Sequence, residues 1–256
     1  MTGLAIRYVA YTTLIAAALL CIGCNKPYAS QESSTEASSD STRKAQIRVA
    51  VILDKSGSAP KNRIPPLEVA HLEPLIKLTR DRGGDLAVGA VKANSNRPLK
   101  RLDVDPPPSR PVRPDEDNSY EKASAMRQYR EEVKEYQTRM KRYRQSLSSE
   151  VKGFRHELKS LLNAAADAKR SDIRRALVRT ELFFEEPTVG DPKVRRFGIL
   201  MTDGLDNVSE SLPEIRSDAT YLVVNGTGTL GVLKDLEPKR FESPEAAIEF
   251  VVRSVQ

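Results

Sequence analysis

Tryptophan is absent from this chain, and aromatic residues make up only 5% of its 256 residues. That leaves little for the stacking platforms on which single-strand nucleic-acid binders lay their bases. Histidine occurs twice, as His71 and His156, and cysteine twice, as Cys21 and Cys24. Both cysteines lie in the first stretch, so nothing downstream forms a disulfide with them and the folded part rests on its core. The same scarcity argues against a zinc site, which draws on Cys and His ligands. Long apolar runs are scarce too. The run from Tyr8 to Ile22 falls short of the ~20 residues that a spanning helix needs.

Charge is plentiful and only mildly unbalanced, with 41 Lys and Arg against 35 Asp and Glu and a net charge of +6. This favours acidic partners without implying nucleic acid. The length suits one α/β domain with appendages.

The first 24 residues carry Arg7, the short apolar run and then Gly23-Cys24, the anatomy of a secretory signal. Residues 25 to 45 are rich in Ser, Thr, Glu and Ala with almost no apolar content, and read as a flexible tether. The globular part, 46–256, opens on the apolar run Ile47 to Leu53, a buried strand by its β-branched content. It delivers Asp54-Lys55-Ser56-Gly57-Ser58 at its end, with Gly57 placed to allow a tight approach. Ile64 to Arg80 reads as a helix that starts at Pro65-Pro66 and is kinked or split at Pro74, with His71 as a core or boundary residue. Asp85 to Lys92 is a second strand and Arg97 to Val104 an edge strand. Val194 to Met201 is a strand ending in Thr202-Asp203-Gly204, and Thr220 to Val224 is another. A glycine-containing turn over 225–229 follows, without a phosphate-loop lysine. A short strand at Phe241 and a helix opened by Ser243-Pro244-Glu245 complete the chain.

An insertion spans 105–165. Asp105 to Pro114 is proline-dense and reads as a stiff, extended spacer. Met126, Tyr129, Val133, Tyr136, Met140, Tyr143 and Leu147 then recur at steps of three and four, and Val151, Phe154, Leu158 and Leu161 continue the seam. One long helix over 119–166 follows, with Gly153 its weakest point. Its apolar stripe must be buried, either against its own domain or as a pairing arm for a second copy or a partner. Its arginines read as a solvated face rather than a nucleic-acid stripe. Ser171 is placed to cap the next helix, 172–185.

Strands alternating with helices, with both aspartates at strand ends, give an α/β doubly wound, mainly parallel sheet with an inserted long helix. Asp54, Ser56, Ser58 and Asp203 are hard oxygen ligands, suited to Mg²⁺, Mn²⁺ or Ca²⁺. Asp54-x-Ser56-x-Ser58 after one strand and Thr202-Asp203-Gly204 after a later one resemble the von Willebrand factor type A domain and its metal-ion-dependent adhesion site. That family has a third loop, Gly-Gly-Thr-(Asn/Asp)-Ile. The matching stretch here is Lys169-Arg170-Ser171-Asp172-Ile173, with Ser171 standing for the threonine and two cations for the glycines.

The resemblance implies a metal centre at Asp54, Ser56, Ser58, Ser171 and Asp203, most naturally for Mg²⁺. The serines would touch the ion and the aspartates act through water, leaving an open position for an acidic side chain of a partner protein. Leu20-Cys21-Ile22-Gly23-Cys24 likewise resembles the lipobox of bacterial lipoproteins, although the usual leucine position holds Cys21. It implies lipidation at Cys24 and a chain anchored in the cell envelope, and Asn25 points to the outer membrane. A binding module is the first functional expectation. A metal-assisted hydrolase at the same site, with Asp206 as the nearest candidate base, is the second. A helical-arm scaffold with a vestigial site is the third.

Overall fold

The computed structural model describes residues 45–256, apart from 62, 116–118, 189–192, 210 and 226–229. Cys24, the leader and the tether up to 44 lie outside the described residues, as does most of the turn 225–229.

β1 (Gln46–Asp54) is buried from its second residue to its last and forms the middle of the sheet. It is flanked by β2 (Gly84–Val91) on one side and β4 (Val194–Met201) on the other, both parallel to it. With β3 (Lys100–Val104), β5 (Thr220–Val224) and β6 (Lys239–Phe241), the order is β3-β2-β1-β4-β5-β6. β3, at the edge, is the antiparallel strand. The chain moves outward from β1 to β2 and β3, then returns to the other side of β1 at β4. A crevice at the carboxyl ends of strands belongs where the order reverses in this way.

Alternate residues of β1 feed two cores, as the two-residue period of a strand requires. Ile47, Val49, Val51 and Leu53 face one core, Ala50 and Ile52 the other. The first is covered by α1 (Val69–Arg82), the second half of α2 (Ser119–Asn163) and α4 (Pro244–Ser254). The second is covered by α3 (Ile173–Glu185) and by Leu233 of a short 3₁₀ turn. Elements and order agree with the sequence reading of a mainly parallel α/β sheet with an inserted helix.

Two helix details differ from expectation. α1 begins at Val69, well past Pro65-Pro66, because His71 Nδ1 accepts from the Glu68 backbone N–H at 3.1 Å and fixes the start there. Pro74 lies inside α1 without splitting it. The other ring nitrogen of His71, Nε2, lies 3.0 Å from Glu245 of α4. The histidine thus joins two helices at the boundary of the core.

From Tyr143 onward α2 lies against its own domain. Leu147, Val151, Phe154 and Leu158 are buried in the first core, and Tyr143 Oη donates to the carbonyls of Arg80 and Asp105. Before Tyr143 the stripe is half-buried. Asp105 is held beside Tyr143, yet the helix starts roughly 36 Å away at 1.5 Å per residue. The proline-dense stretch therefore runs back along the helix, nearly extended. Its burial has the threefold period of polyproline II: Pro108, Pro111 and Pro114 are half-buried, while Ser109, Arg110, Val112 and Arg113 are exposed. Pro107 lines one groove with Met140 and Tyr143. The stretch is thus a strap along the helix, more than a spacer.

Leu158→Ala is expected to lower global stability by about 3 kcal/mol, because Leu158 is fully buried. Tyr129→Ala, on the half-buried arm, should cost less than about 1.5 kcal/mol. Urea denaturation followed by circular dichroism measures both.

Candidate functional site

The register of the sheet builds the site. Leu53 of β1 pairs with Met201 of β4, so Asp54 and Thr202 leave the sheet side by side. Thr202 Oγ1 donates to Asp54 Oδ2 at 2.7 Å, and the Ser56 backbone N–H donates to Asp54 Oδ1 at 2.8 Å. Asp54 therefore acts as a bracket between the two motifs. Burial pushes its carboxyl up, the hydrogen bonds from Ser56 and Thr202 pull it back, and the charge of Asp203 adds to the rise. The net direction is above its ordinary 3.8.

Ser56 is buried, Ser58 is half-buried, and their hydroxyl oxygens lie 2.9 Å apart. The loop before α3 joins them through the backbone. Gly57 N–H donates to the Ala168 carbonyl at 2.9 Å, and Ala168 N–H donates to the Lys55 carbonyl at 3.1 Å. Further along, Asn207 N–H donates to the Ser171 carbonyl at 3.1 Å and Asp172 N–H to the Lys92 carbonyl at 3.0 Å. Three loops from distant parts of the chain are thus tied together at the ends of β1, β2 and β4. They carry all five residues expected from the sequence: Asp54, Ser56, Ser58, Ser171 and Asp203.

Ser171 does not cap α3. Asp172 does, with Oδ1 accepting from the Arg175 backbone N–H at 3.1 Å. The Ser171 hydroxyl is left fully buried and without a hydrogen-bond partner. Buried hydroxyls are nearly always satisfied, so a group of this kind requires an explanation. Asp203 is buried as well, and its Oδ1 accepts from the Leu205 backbone N–H at 3.0 Å. Its neighbour Gly204 has φ 75°, and a Cβ there would meet the Leu230 carbonyl oxygen at 2.1 Å. Val232 N–H donates to the Gly204 carbonyl at 3.0 Å, so the loop after β4 crosses the chain after β5 backbone to backbone. Gly57 differs from expectation. Its φ is ordinary and a Cβ there would lie 3.8 Å from the nearest atom, so no close approach depends on it.

Lys169 and Arg170, which replace the two glycines of the resembled loop, are exposed. The cation with a defined place is Lys55. Its Nζ donates to the Leu162 carbonyl at 2.7 Å and the Ala164 carbonyl at 2.9 Å, at the C-terminal end of α2. Helix ends leave such carbonyls unpaired and favour cations, and α2 has no basic residue in its own last turn. Burial and the nearby Lys92 push the Lys55 ammonium below its ordinary value. Sequence reasoning gave no role to Lys55, Thr202 or Asp172. For Thr202 a signal existed, a hydroxyl residue one step past a strand that pairs in register with the Asp54 strand. For Lys55 there was none.

Asp206, the candidate base for a hydrolase, is engaged on both oxygens. Oδ1 accepts from Val208 and Ser209, and Oδ2 accepts from the Arg174 backbone N–H at the start of α3. Its position is that of a loop and helix clamp. Among the described residues no three His, Cys, Asp or Glu side chains cluster as a carboxylate cage would. The three loops carry serine hydroxyls and two aspartates, hard oxygen donors of the kind a divalent cation takes, and the Ser171 hydroxyl among them has no hydrogen-bond partner.

No family model matches the chain, and no curated protein is significantly similar to it.

The two loop glycines are expected to respond unequally. Gly204→Ala forces a positive φ and a backbone overlap, and should cost about 3 kcal/mol. Gly57→Ala should change stability by less than about 0.5 kcal/mol. Melting temperatures of the two variants beside wild type check this.

Proposed function

We propose that the chain is a divalent-metal-dependent protein-binding module of the von Willebrand factor type A kind, with a doubly wound sheet, carried on the cell envelope by a lipid at Cys24. The observation that carries this reading is the buried, unpartnered Ser171 hydroxyl on a loop bonded to both aspartate-bearing loops. The reversal of strand order between β1 and β4 supports it.

Ser56, Ser58 and Ser171 would hold the ion, with Mg²⁺ the most natural and Mn²⁺ or Ca²⁺ the alternatives. Asp54 and Asp203 would act from behind through water. Both Asp54 oxygens accept hydrogen bonds from the protein, which supports that indirect role. When bound, the ion supplies an electrophilic position for an acidic side chain of a partner protein. Hydroxyls leave more of its charge unneutralised than carboxylates do, so it draws the incoming anion more strongly. The chain's own residues fix the loops and carry the charge of Asp54 and Asp203. Removal of the metal is expected to release the partner, so a pull-down from envelope extract should lose the same proteins on EDTA treatment and on Ser56→Ala.

Ser171→Ala gives the cleanest test, because its hydroxyl makes no hydrogen bond to the rest of the protein. The variant is expected to be as stable as wild type without metal, and to bind Mg²⁺ or Mn²⁺ at least tenfold more weakly by calorimetry. Equal affinity in the two proteins, or no heat in either, overturns the reading.

Protonation supplies a second check. Asp54 titrates above its ordinary 3.8, so the proton competes with the cation over a higher pH range than for an exposed aspartate. Affinity is expected to fall as the pH drops through that raised value. Metal-free stability should gain from the same protonation, because the folded state binds the proton more tightly than the unfolded chain.

A further inference from the structure

β3 covers only part of β2. Their ladder ends where Val88 meets Lys100, and β3 does not reach Gly89, Ala90 or Val91. A cavity of ≈ 380 Å³ opens at this place, and its charged lining is Lys92, Arg97, Lys100 and Arg179, with no acidic residue. Lys100 is partly neutralised by Glu157 at 3.3 Å. A second cavity shares Lys92 and Arg97 and continues to Asp167 and Ala168, on the loop before α3.

Arg179 is the unusual member. Its Nη1 donates to the Arg97 carbonyl. Its Nε and Nη2 are buried and have no hydrogen-bond partner, and no carboxylate pairs with it among the described residues. Burial pushes the guanidinium down to about 10. Gly89 makes the room for it, since a Cβ there would come 2.7 Å from Nη2 and 2.5 Å from Leu99. Nε–H and Nη2–H form the edge of a guanidinium that grips two oxygens of one anion in parallel. A desolvated fork with neither hydrogen bond made, walled by further cations, lacks a counter-ion.

We propose that this pocket is an oxyanion site for a phosphate-type dianion, with Arg179 Nε and Nη2 on two of its oxygens and Lys92 as the neighbouring cation. The several cations favour a dianion over a single carboxylate. Both fork nitrogens are closed off from water, so the anion reaches them as the exposed Arg97-Pro98 turn gives way and the Arg97 carbonyl is released. The site shares no side chain with the candidate metal centre, although the Lys92 carbonyl accepts from the Asp172 backbone N–H and the second cavity runs to that centre's loop.

The test uses the full chain in EDTA, so that no metal contributes. Melting temperature and calorimetry are followed with inorganic phosphate, with acetate, and with sodium chloride at matched ionic strength. Phosphate is expected to bind saturably, acetate at least tenfold more weakly, and chloride without a saturable response. Arg179→Met should abolish the phosphate response and leave the phosphate-free melting temperature unchanged or higher, because it removes an unpaired buried charge. Lys92→Gln, at a half-buried lining position, should weaken phosphate at least threefold without loss of fold. The proposal is overturned if chloride reproduces the phosphate effect, if acetate binds as well as phosphate, or if Arg179→Met keeps the response. It is also overturned if Arg179→Met fails to fold while Lys92→Gln binds phosphate like wild type, which would make the guanidinium a structural group.

Discussion

The hydrogen bond from Thr202 to Asp54 joins residues 148 positions apart in the chain, and the candidate site depends on it. It exists because two apolar strands pair in parallel and end in register. Each strand delivers polar residues where its apolar run stops, and the shared register brings them side by side. The carboxylate accepts from both loops at once, so the loops cannot shift independently. Two bonds between Lys55, Gly57 and Ala168 add the third loop on the same principle, as a short continuation of sheet pairing beyond β1.

The inserted helix is tied to this same knot. Lys55 stands between Asp54 and Ser56, and its ammonium closes the end of α2. Pro107 lies beside Met140 and Tyr143 of the helix, and its second half is buried in the first core by Leu147, Val151, Phe154 and Leu158. The insertion is therefore fixed to the domain at two levels. Opposite the site, Arg48 does similar work at the other end of β1. It is nearly fully buried, lies 3.2 Å from Asp85, and donates to the carbonyls of Phe183, Phe184 and Glu186 at the end of α3. Such a charge is tolerated inside because its donors are taken up, in contrast to Arg179.

Much of the fold was legible in the sequence, for identifiable reasons. β1, β2, β4 and β5 are dense apolar runs of strand length, and each was located to within a residue or two. The final helix was marked by Ser243 and Pro244, and Ser243 does accept from the Ala246 backbone N–H. The start of α1 was missed because a reciprocal Glu68–His71 cap gives no strong local signal. Ser171 was expected as a cap because serine and aspartate are comparable capping residues, and only the tertiary bonds to Lys92 and Asn207 decide for Asp172. The roles of Lys55, Arg48 and Arg179 depend on long-range packing that no local pattern encodes.

The central claim is that Ser56, Ser58 and Ser171 converge on one cation backed by Asp54 and Asp203. A crystal of the chain soaked in Mn²⁺ and measured at the manganese absorption edge tests it most directly. The account expects one anomalous peak with the three serine hydroxyl oxygens at about 2.0–2.5 Å, and both aspartates linked to it through water. A peak elsewhere on the domain, or an unchanged and unpaired Ser171 hydroxyl in saturating Mn²⁺, would contradict it.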